Sequence, residues 1–231
     1  MLEHAANRRH FACKHHGEAA QRVNVFFDQR QPGVDCLANI VKFGAGIGFP
    51  CVFTGLAQHG FARAGIAKSF QITNVFKQLS AHENVRVAAQ MRSPRFSLFK
   101  PRASLVAVSE KADALLERVG LSAHCKRPAA DLAHGQQRAL EIAMALACDP
   151  ELLLMDEPTA GMSPEETAGM MTLITTLATE RDVILVEHKM KLVMGICERL
   201  IVLHHGEFLA QGSPQEIRAN AEVRRVYLGK D

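Results

Sequence analysis

A run of four apolar residues passes directly into two acidic ones at Leu152-Leu153-Leu154-Met155-Asp156-Glu157. A short apolar run of this kind predicts a strand buried on both faces, as in parallel sheets. Ligands bind beyond the carboxyl ends of such strands. There, Asp156 can hold Mg²⁺ and Glu157 can orient and deprotonate a water that attacks a phosphate. Taken alone, so short a pattern more often marks a solvated turn after a core strand.

Two further segments place polar groups at comparable positions. The apolar run Val183–Val186 predicts a second buried strand, and Glu187 and His188 follow it. A histidine there can donate a hydrogen bond to a terminal phosphate. The segment Leu132-Ala133-His134-Gly135-Gln136 stands before a helix, whose N-terminal N–H groups favour a phosphate. Each signal by itself also fits an ordinary polar residue or an ordinary helix entry.

Helices with recognisable ends alternate with these strands. Helices are predicted at Ser109–Gly120 with Ser109 as N-cap, at Gln136–Cys148, at Lys189–Cys197, and after the capping boxes that begin at Ser163 and Ser213. A hairpin is predicted between Leu200–Leu203 and Phe208–Ala210. The alternation predicts an α/β fold with a largely parallel sheet flanked by helices.

The composition argues against several classes of protein. The formal net charge is +3 and no dense Lys/Arg block occurs, so nucleic acid is not an expected partner. No apolar run approaches the ~20 residues of a membrane-spanning helix, and the polar N-terminus is not a secretory signal. The six Cys are expected to be reduced thiols in a cytosol. Any membrane connection is therefore expected through a partner protein.

The order and spacing of these segments resemble the motif series of the ABC ATPases, which are P-loop NTPases. That series is a Q-loop, a signature segment, a Walker B strand with its catalytic Glu, a D-loop and a switch His, matched here by Phe70-Gln71, Leu132–Gln136, Leu152–Glu157, Ala160–Ser163 and His188. The resemblance covers roughly Thr54 to Asp231. It is strongest to the ATP-binding subunits of branched-chain amino-acid importers, in the stretches Ser69–Phe76, His134–Ala143 and Asp156–Thr167.

The resemblance implies a role for each of these segments. Asp156 would hold Mg²⁺, Glu157 would be the general base, and His188 would contact the γ-phosphate of ATP. Gln71 would join Mg²⁺ and the attacking water to a membrane permease subunit. The segment Leu132–Gln136 would close on ATP held by a second ATP-binding subunit. The resemblance also implies a helical subdomain at about residues 76–130 and a peripheral position at the cytoplasmic face of the inner membrane.

The phosphate-binding loop of that family is not recognisable in this chain. No G-x-x-x-x-G-K-[ST] occurs anywhere in the sequence. The Gly-rich segment Gly44–Gly48 is followed by neither a Lys nor a Ser or Thr that could bind Mg²⁺, and Pro50 has no N–H. Ala133 replaces the usual signature Ser, and Ser163 stands near the place of the D-loop Asp. ATP hydrolysis by this chain is therefore doubtful.

The sequence changes character near residue 53. Residues 1–53 show no sustained period and predict an irregular N-terminal segment, whereas residues 54–231 predict a partial ABC ATPase domain. Three explanations remain open. One is a change of reading frame or a misassigned start in the coding sequence, and another is a true replacement that yields a regulatory pseudo-ATPase. The third is a metal module of Cys13, His15, His16 and Cys36, whose spacing fits no zinc pattern well.

Three classes of function follow from these observations. The first is the nucleotide-binding subunit of an amino-acid importer, the second a soluble ABC ATPase of DNA repair or translation, and the third a non-hydrolysing scaffold that docks on a membrane subunit. Repair types insert long coiled coils between Q-loop and signature. The stretch from Gln71 to Leu132 is short and has no sustained heptads, which favours the transporter type. Nucleotide binding separates the scaffold from an active ATPase.

Overall fold

A six-stranded sheet, in the order β2-β3-β4-β1-β5-β6, is the centre of the computed structural model, which describes residues 23–29, 65–69, 75–90, 102–205 and 207–228. The strands are β1 (Val23–Gln29), β2 (Ile66–Lys68), β3 (Leu152–Asp156), β4 (Asp182–Val186), β5 (Arg199–His204) and β6 (Glu207–Gly212). Strands β1 to β5 pair in parallel, and β6 pairs antiparallel with β5. The predicted parallel α/β sheet and the predicted hairpin are both confirmed.

The helices that connect these strands pack their apolar sides on the sheet and on each other. They are α1 (Ala81–Gln90), α2 (Arg102–Arg118), α3 (His134–Leu146), α4 (Pro164–Ala178), α5 (Met190–Val193), α6 (Pro214–Ala219) and α7 (Ala221–Val223), with a π-helical turn at Arg224–Leu228. Short 3₁₀ turns lie at Ser122–His124 and Ala129–Asp131. One hydrophobic core joins α1, α2, α3 and α4 to the sheet. Within the described ranges, no helix has both the length and the apolar character needed to cross a membrane.

The position of β1 corrects the prediction of an irregular segment at residues 1–53. β1 lies inside the sheet, with Val25 beside Leu185 of β4 on one side and beside Leu200 of β5 on the other. The run Val23–Phe27 is rich in β-branched and aromatic residues, which favour strands, but it is too short for its period to separate strand from helix. The other residues of this segment lie outside the described ranges, and the domain boundary near residue 53 stays a prediction.

Helix ends are confirmed where a local cap decides them. Ser163 and Ser213 both accept a hydrogen bond from the backbone N–H three residues on, as the capping boxes predict. Gly120 has a φ of 74° just after α2, a conformation that glycine adopts without a steric cost. Ser109, in contrast, is not an N-cap, because α2 begins at Arg102. Its hydroxyl contacts His82 Nε2 of α1 at 3.1 Å instead.

Asn84 fixes the turn that leads into α1. It is fully buried. Its Oδ1 accepts from the Phe76 N–H at 2.8 Å, and its Nδ2 donates to the carbonyl oxygens of Phe76, Leu79 and Ser80 at 3.1, 3.3 and 2.9 Å. An amide is required here because one end of the side chain must accept and the other must donate.

We predict that Asn84→Asp destabilises the protein by about 3 kcal/mol, since a buried carboxylate would face three carbonyl oxygens that have lost their donor. Urea unfolding followed by circular dichroism measures the change. Asn220→Asp is the matched control. Asn220 only accepts, from the N–H groups of Glu222 and Val223, so Asp serves there equally well. Equal stability of the two variants would contradict the role given to Asn84.

Candidate active site

Asp156 and Glu157 lie at the carboxyl edge of the sheet, as predicted. Asp156 is the last residue of β3 and stands beside Val186, the last residue of β4. The Glu157 N–H donates to the Val186 carbonyl oxygen at 2.8 Å, so the two strand ends are joined. Glu157 has a φ of 45°, which is uncommon for a residue with a side chain. Strained backbone of this kind is frequent at functional sites.

His188 contacts Glu157 directly. The two residues follow neighbouring strands, and His188 Nδ1 lies 3.0 Å from Glu157 Oε1. The Glu157 side chain is 12% exposed and the His188 side chain 52% exposed, so the pair sits at a solvent-facing edge with its carboxylate largely covered. Two polar groups that the sequence places after separate strands therefore meet at one edge of the sheet. Their roles as base and phosphate contact stay predictions.

A buried carboxylate holds the backbone on which His188 stands. Glu187 is 1% exposed. Its Oε1 accepts from the Thr159 hydroxyl, and its Oε2 accepts from the N–H groups of His188 at 3.1 Å and Lys189 at 3.4 Å. Lys189 Nζ in turn donates to the carbonyl and the hydroxyl of Thr159 at 3.1 and 3.3 Å. The segments that follow β3 and β4 are therefore linked by side chains as well as by strand pairing.

The segment Leu132–Gln136 also reaches this edge. Leu132 is buried, whereas Ala133 and His134 are exposed. His134 Nε2 lies 3.0 Å from the Ala160 carbonyl oxygen, three residues after Glu157. The Ala133 N–H donates to Gln136 Oε1 at 3.1 Å, which caps the start of α3 without the missing signature hydroxyl.

One predicted site residue, Gln71, lies outside the described residues. The chain just before it is placed, because the buried Ser69 donates from its N–H to the Leu154 carbonyl oxygen at 2.8 Å. A cleft of about 280 Å³ elsewhere involves none of the predicted site residues. It is lined by Met194, Pro214, Gln215, Arg218 and Ala219.

The sequence did not assign Thr159, Glu187 or Lys189 a role at this site. Glu187 had a readable signal, since it directly follows a buried strand. The contacts of the other two join segments that are far apart in the chain, so spacing alone does not reveal them.

The described residues suit one side of a Mg²⁺–ATP site. The carboxylates of Asp156 and Glu157 are oxygen ligands of the kind that Mg²⁺ prefers. A triphosphate also needs cations or a row of N–H groups around it, and the ammonium group of Lys189 donates to Thr159 instead. Among the residues that the structure describes, no group of three or more His, Cys, Asp or Glu is arranged to hold a metal. The residues that the structure describes do not include a phosphate-binding loop.

The place where such a loop would belong can be identified from β1. Its residues Phe26 and Gln29 lie beside Val186 of β4 and His204 of β5, so β1 ends at the same edge of the sheet as β3 and β4. The sequence that follows it is Arg30-Gln31-Pro32-Gly33-Val34-Asp35, with one Gly and no Lys. It has neither the glycines nor the Lys of a phosphate-binding loop.

Comparison with family models finds two matches. The model of the ABC transporter family matches residues 52–160, and the model of branched-chain amino acid ATP-binding cassette transporters matches residues 209–231. The first match thus begins close to the change in sequence character near residue 53.

Curated relatives match over three-quarters of the chain. LivG of Salmonella typhimurium, a high-affinity branched-chain amino acid transport ATP-binding protein, is 43% identical over 184 residues, 76% of this chain and 72% of the relative. BraF of Pseudomonas aeruginosa, with the same description, is 41% identical over 76% of this chain and 72% of its own. LptB of Acidithiobacillus ferridurans, from a lipopolysaccharide export system, is 37% identical over 76% and 70%.

Solved structures share the fold. The ADP conformation of an ATP-binding cassette of an ABC transporter superposes with a TM-score of 0.70 at 21% identity, covering 91% of this chain and 89% of that one. A nucleotide-free cassette gives a TM-score of 0.69 at 21% identity and the same coverage.

We predict that Glu187→Gln destabilises the protein by about 1–3 kcal/mol, because the new amide group would point a donor at groups that themselves donate. Unfolding in urea gives the change, with the exposed Glu198→Gln as a control expected to stay within about 0.5 kcal/mol of the parent. Combining Glu187→Gln with Thr159→Val should show a coupling of about 1 kcal/mol, since the two side chains bond each other. If the stability changes of the two single variants simply added, the hydrogen bond between Glu187 and Thr159 would be excluded as a contribution to stability.

Proposed function

Because this chain belongs to the ABC transporter family of ATP-binding proteins, we propose that it serves as the ATP-binding subunit of an importer for branched-chain amino acids or related amides. The sheet-edge pairing of Glu157 with His188 at 3.0 Å is the observation that carries the proposal, since it joins two motifs of that family in space. The relatives with the highest identities quoted above act in branched-chain amino acid transport, and the C-terminal match is to the same class. The export relative is less similar.

In this proposal, each site residue keeps the role that the family resemblance implies. Asp156 binds Mg²⁺, Glu157 is the general base for the attacking water, and His188 contacts the γ-phosphate. Gln71 links that site to a permease. The segment Leu132–Gln136 closes over ATP that a second subunit holds. The chain itself binds peripherally at the cytoplasmic face of the inner membrane through its permease.

The chain is proposed to be impaired in its own ATP binding. A phosphate-binding loop supplies several charge-assisted hydrogen bonds of about 1.5–3 kcal/mol each, so four of them supply roughly 6–12 kcal/mol. Micromolar binding requires only about 8 kcal/mol in all. The carboxylates of Asp156 and Glu157 repel a triphosphate unless cations or N–H groups compensate. A second candidate function is therefore a non-hydrolysing scaffold that supports an intact partner subunit.

We predict no saturable ATP binding by the purified chain in the micromolar range, and no effect of Glu157→Gln on it. Isothermal titration calorimetry and phosphate release measure both. A family-type Gly-rich loop with its Lys, restored ahead of Thr54, should recover binding, and Glu157→Gln in that protein should trap ATP without turnover. Tight ATP binding or Glu157-dependent turnover by the unmodified chain would contradict the impairment.

We propose that the surface around Phe76 binds the permease. The Phe76 side chain is 54% exposed. A large apolar side chain at the surface is typical of a protein-binding site, where the partner covers it. Phe76 lies five residues after Gln71, and Asn84 holds its backbone from both sides. The Phe76 backbone is thus held by hydrogen bonds, and Phe76 is near in sequence to the residue that is proposed to contact the permease.

We predict that the chain sediments with membranes when it is co-expressed with the permease subunits of a branched-chain amino-acid importer, and that Phe76→Ser weakens this association at least tenfold. Phe208→Ser is the matched control, since Phe208 is a similarly exposed Phe, 46% accessible, on β6. Permease subunits of a lipopolysaccharide exporter test the alternative transport class. Equal binding to both permeases, or to neither, would exclude importer specificity.

A further inference from the structure

The segment Leu132–Gln136 and the residues that follow Glu157 are joined by polar contacts within one chain. The His134 Nε2 lies 3.0 Å from the Ala160 carbonyl oxygen, so this ring nitrogen carries the proton and donates. The Gly135 N–H donates to Glu166 Oε1 at 3.2 Å. The start of α3 is therefore held against the start of α4.

Glu166 stabilises two helix N-termini with one carboxylate. Its Oε2 accepts from the Ser163 N–H at 3.0 Å, which closes the capping box of α4. Its Oε1 accepts from Gly135, which is in the first turn of α3. N–H groups in a first helical turn have no partner within the helix, and a negative charge is favourable near them.

This use of a capping-box glutamate differs from that in two other boxes within the described part of the chain, which begin at Ser80 and Ser213. In those boxes, Glu83 and Glu216 each accept from both the N–H and the hydroxyl of their own cap serine. In the third box, the Ser163 hydroxyl donates to Glu165 Oε2 at 3.0 Å instead. The box uses only Oε2 of Glu166, and its other oxygen, Oε1, accepts from Gly135.

Glycine at position 135 leaves room for this contact. A Cβ there would lie 2.7 Å from Glu166 Oε1, so the carboxylate would have to move away from its position beside the Gly135 N–H. The facing Gly161 has a φ of 72°, and a Cβ there would lie 3.2 Å from His134 Nε2. The two glycines thus allow the segments to lie in the contact seen here, Gly135 by leaving space for the carboxylate and Gly161 by its positive φ.

The Gly135 N–H is also one of the groups that would bind a phosphate if the segment Leu132–Gln136 closes over ATP. An N–H that already donates to a carboxylate cannot donate fully to a phosphate as well. The negative charge of Glu166 would further repel an incoming phosphate at contact distance. Nucleotide and Glu166 therefore compete for the same position.

We propose that Glu166 is an internal anion that occupies the Gly135 amide in the nucleotide-free chain, and that the phosphate of ATP held by a second subunit must displace it. The proposal rests on the proposed function for the identity of the competing ligand. Because the same carboxylate caps α4, its displacement from Gly135 changes the contacts at Ser163, which links closure at residues 132–136 to residues 160–163. The contact between Glu166 and Gly135 is thus autoinhibitory, because it opposes closure of residues 132–136 over ATP.

The test is nuclear magnetic resonance on the full ¹⁵N-labelled chain, with inorganic tripolyphosphate as the probe. Three variants are compared with the parent. Glu166→Ala removes the carboxylate, Glu166→Gln keeps an acceptor oxygen but removes the charge, and Glu165→Gln removes a neighbouring charge that does not contact Gly135. The Gly135 amide is observed for its hydrogen-exchange rate and for its chemical shift during addition of tripolyphosphate.

Glu166→Ala should speed exchange of the Gly135 amide roughly tenfold, the effect of losing a charge-assisted hydrogen bond. Both Glu166 variants should shift the Gly135 amide at tripolyphosphate concentrations that leave the parent and Glu165→Gln unchanged. Unchanged exchange in Glu166→Ala, or an equal tripolyphosphate response in the parent and in Glu166→Gln, would overturn the proposal. Should Glu166→Ala fail to fold, the comparison between Glu166→Gln and the parent still decides.

The same variants separate this inference from the proposed function. Membrane recruitment of Glu166→Gln by the importer permease should equal that of the parent, since Phe76 is not changed. Loss of recruitment for both proteins would count against the importer role alone. The response of the Gly135 amide is read in the isolated chain and does not depend on that result.

Discussion

Parallel pairing of β3, β4 and β1 is the constraint on which the site depends. Parallel strands end at a common edge, so residues that follow them meet although they are distant in the chain. The bond from the Glu157 N–H to the Val186 carbonyl oxygen fixes this register at the edge itself. It sets Glu157 beside His188, and the buried Glu187 then anchors the backbone that carries His188. Weakening the register would move all of these groups together, because each is positioned through the ends of the strands.

Carboxylates at helix N-termini form a second recurring device. Hydrogen bonds from the backbone and then the hydroxyl of a cap serine lower the pKa of Glu83 and of Glu216. The pKa of Glu165 is also lowered, first by its own backbone N–H and then by the Ser163 hydroxyl. Each of these carboxylates stabilises the start of a single helix. Glu166 differs because it accepts from the starts of two helices, and the proposed regulation of residues 132–136 rests on this double contact.

The chain keeps the carboxylate side of the site and has no recognisable phosphate-binding loop. The side that holds the carboxylates and His188 is assembled, and the side that would neutralise a triphosphate has no recognisable sequence after β1. In an assembly of two ATP-binding subunits, such a chain would still present Leu132–Gln136 to a partner. Its contribution would then be to close on a neighbour's nucleotide, and the contact between Glu166 and Gly135 would regulate that closure.

The sequence by itself determined the strands β3 and β4, the capped starts of α4 and α6, and the order of the motifs, because these signals are local and each carries its own stop or start. It misjudged β1, since a short apolar run becomes a strand only when neighbours accept it, and here β4 and β5 do so from both sides. It also placed Ser109 at a helix start, whereas α2 begins at Arg102 and the Ser109 hydroxyl contacts His82 instead of capping the helix. Only the tertiary structure decided which groups meet at the sheet edge. The contacts of Glu187 with Thr159 and of Glu166 with Gly135 join residues about thirty apart, and no local pattern records a partner at that distance.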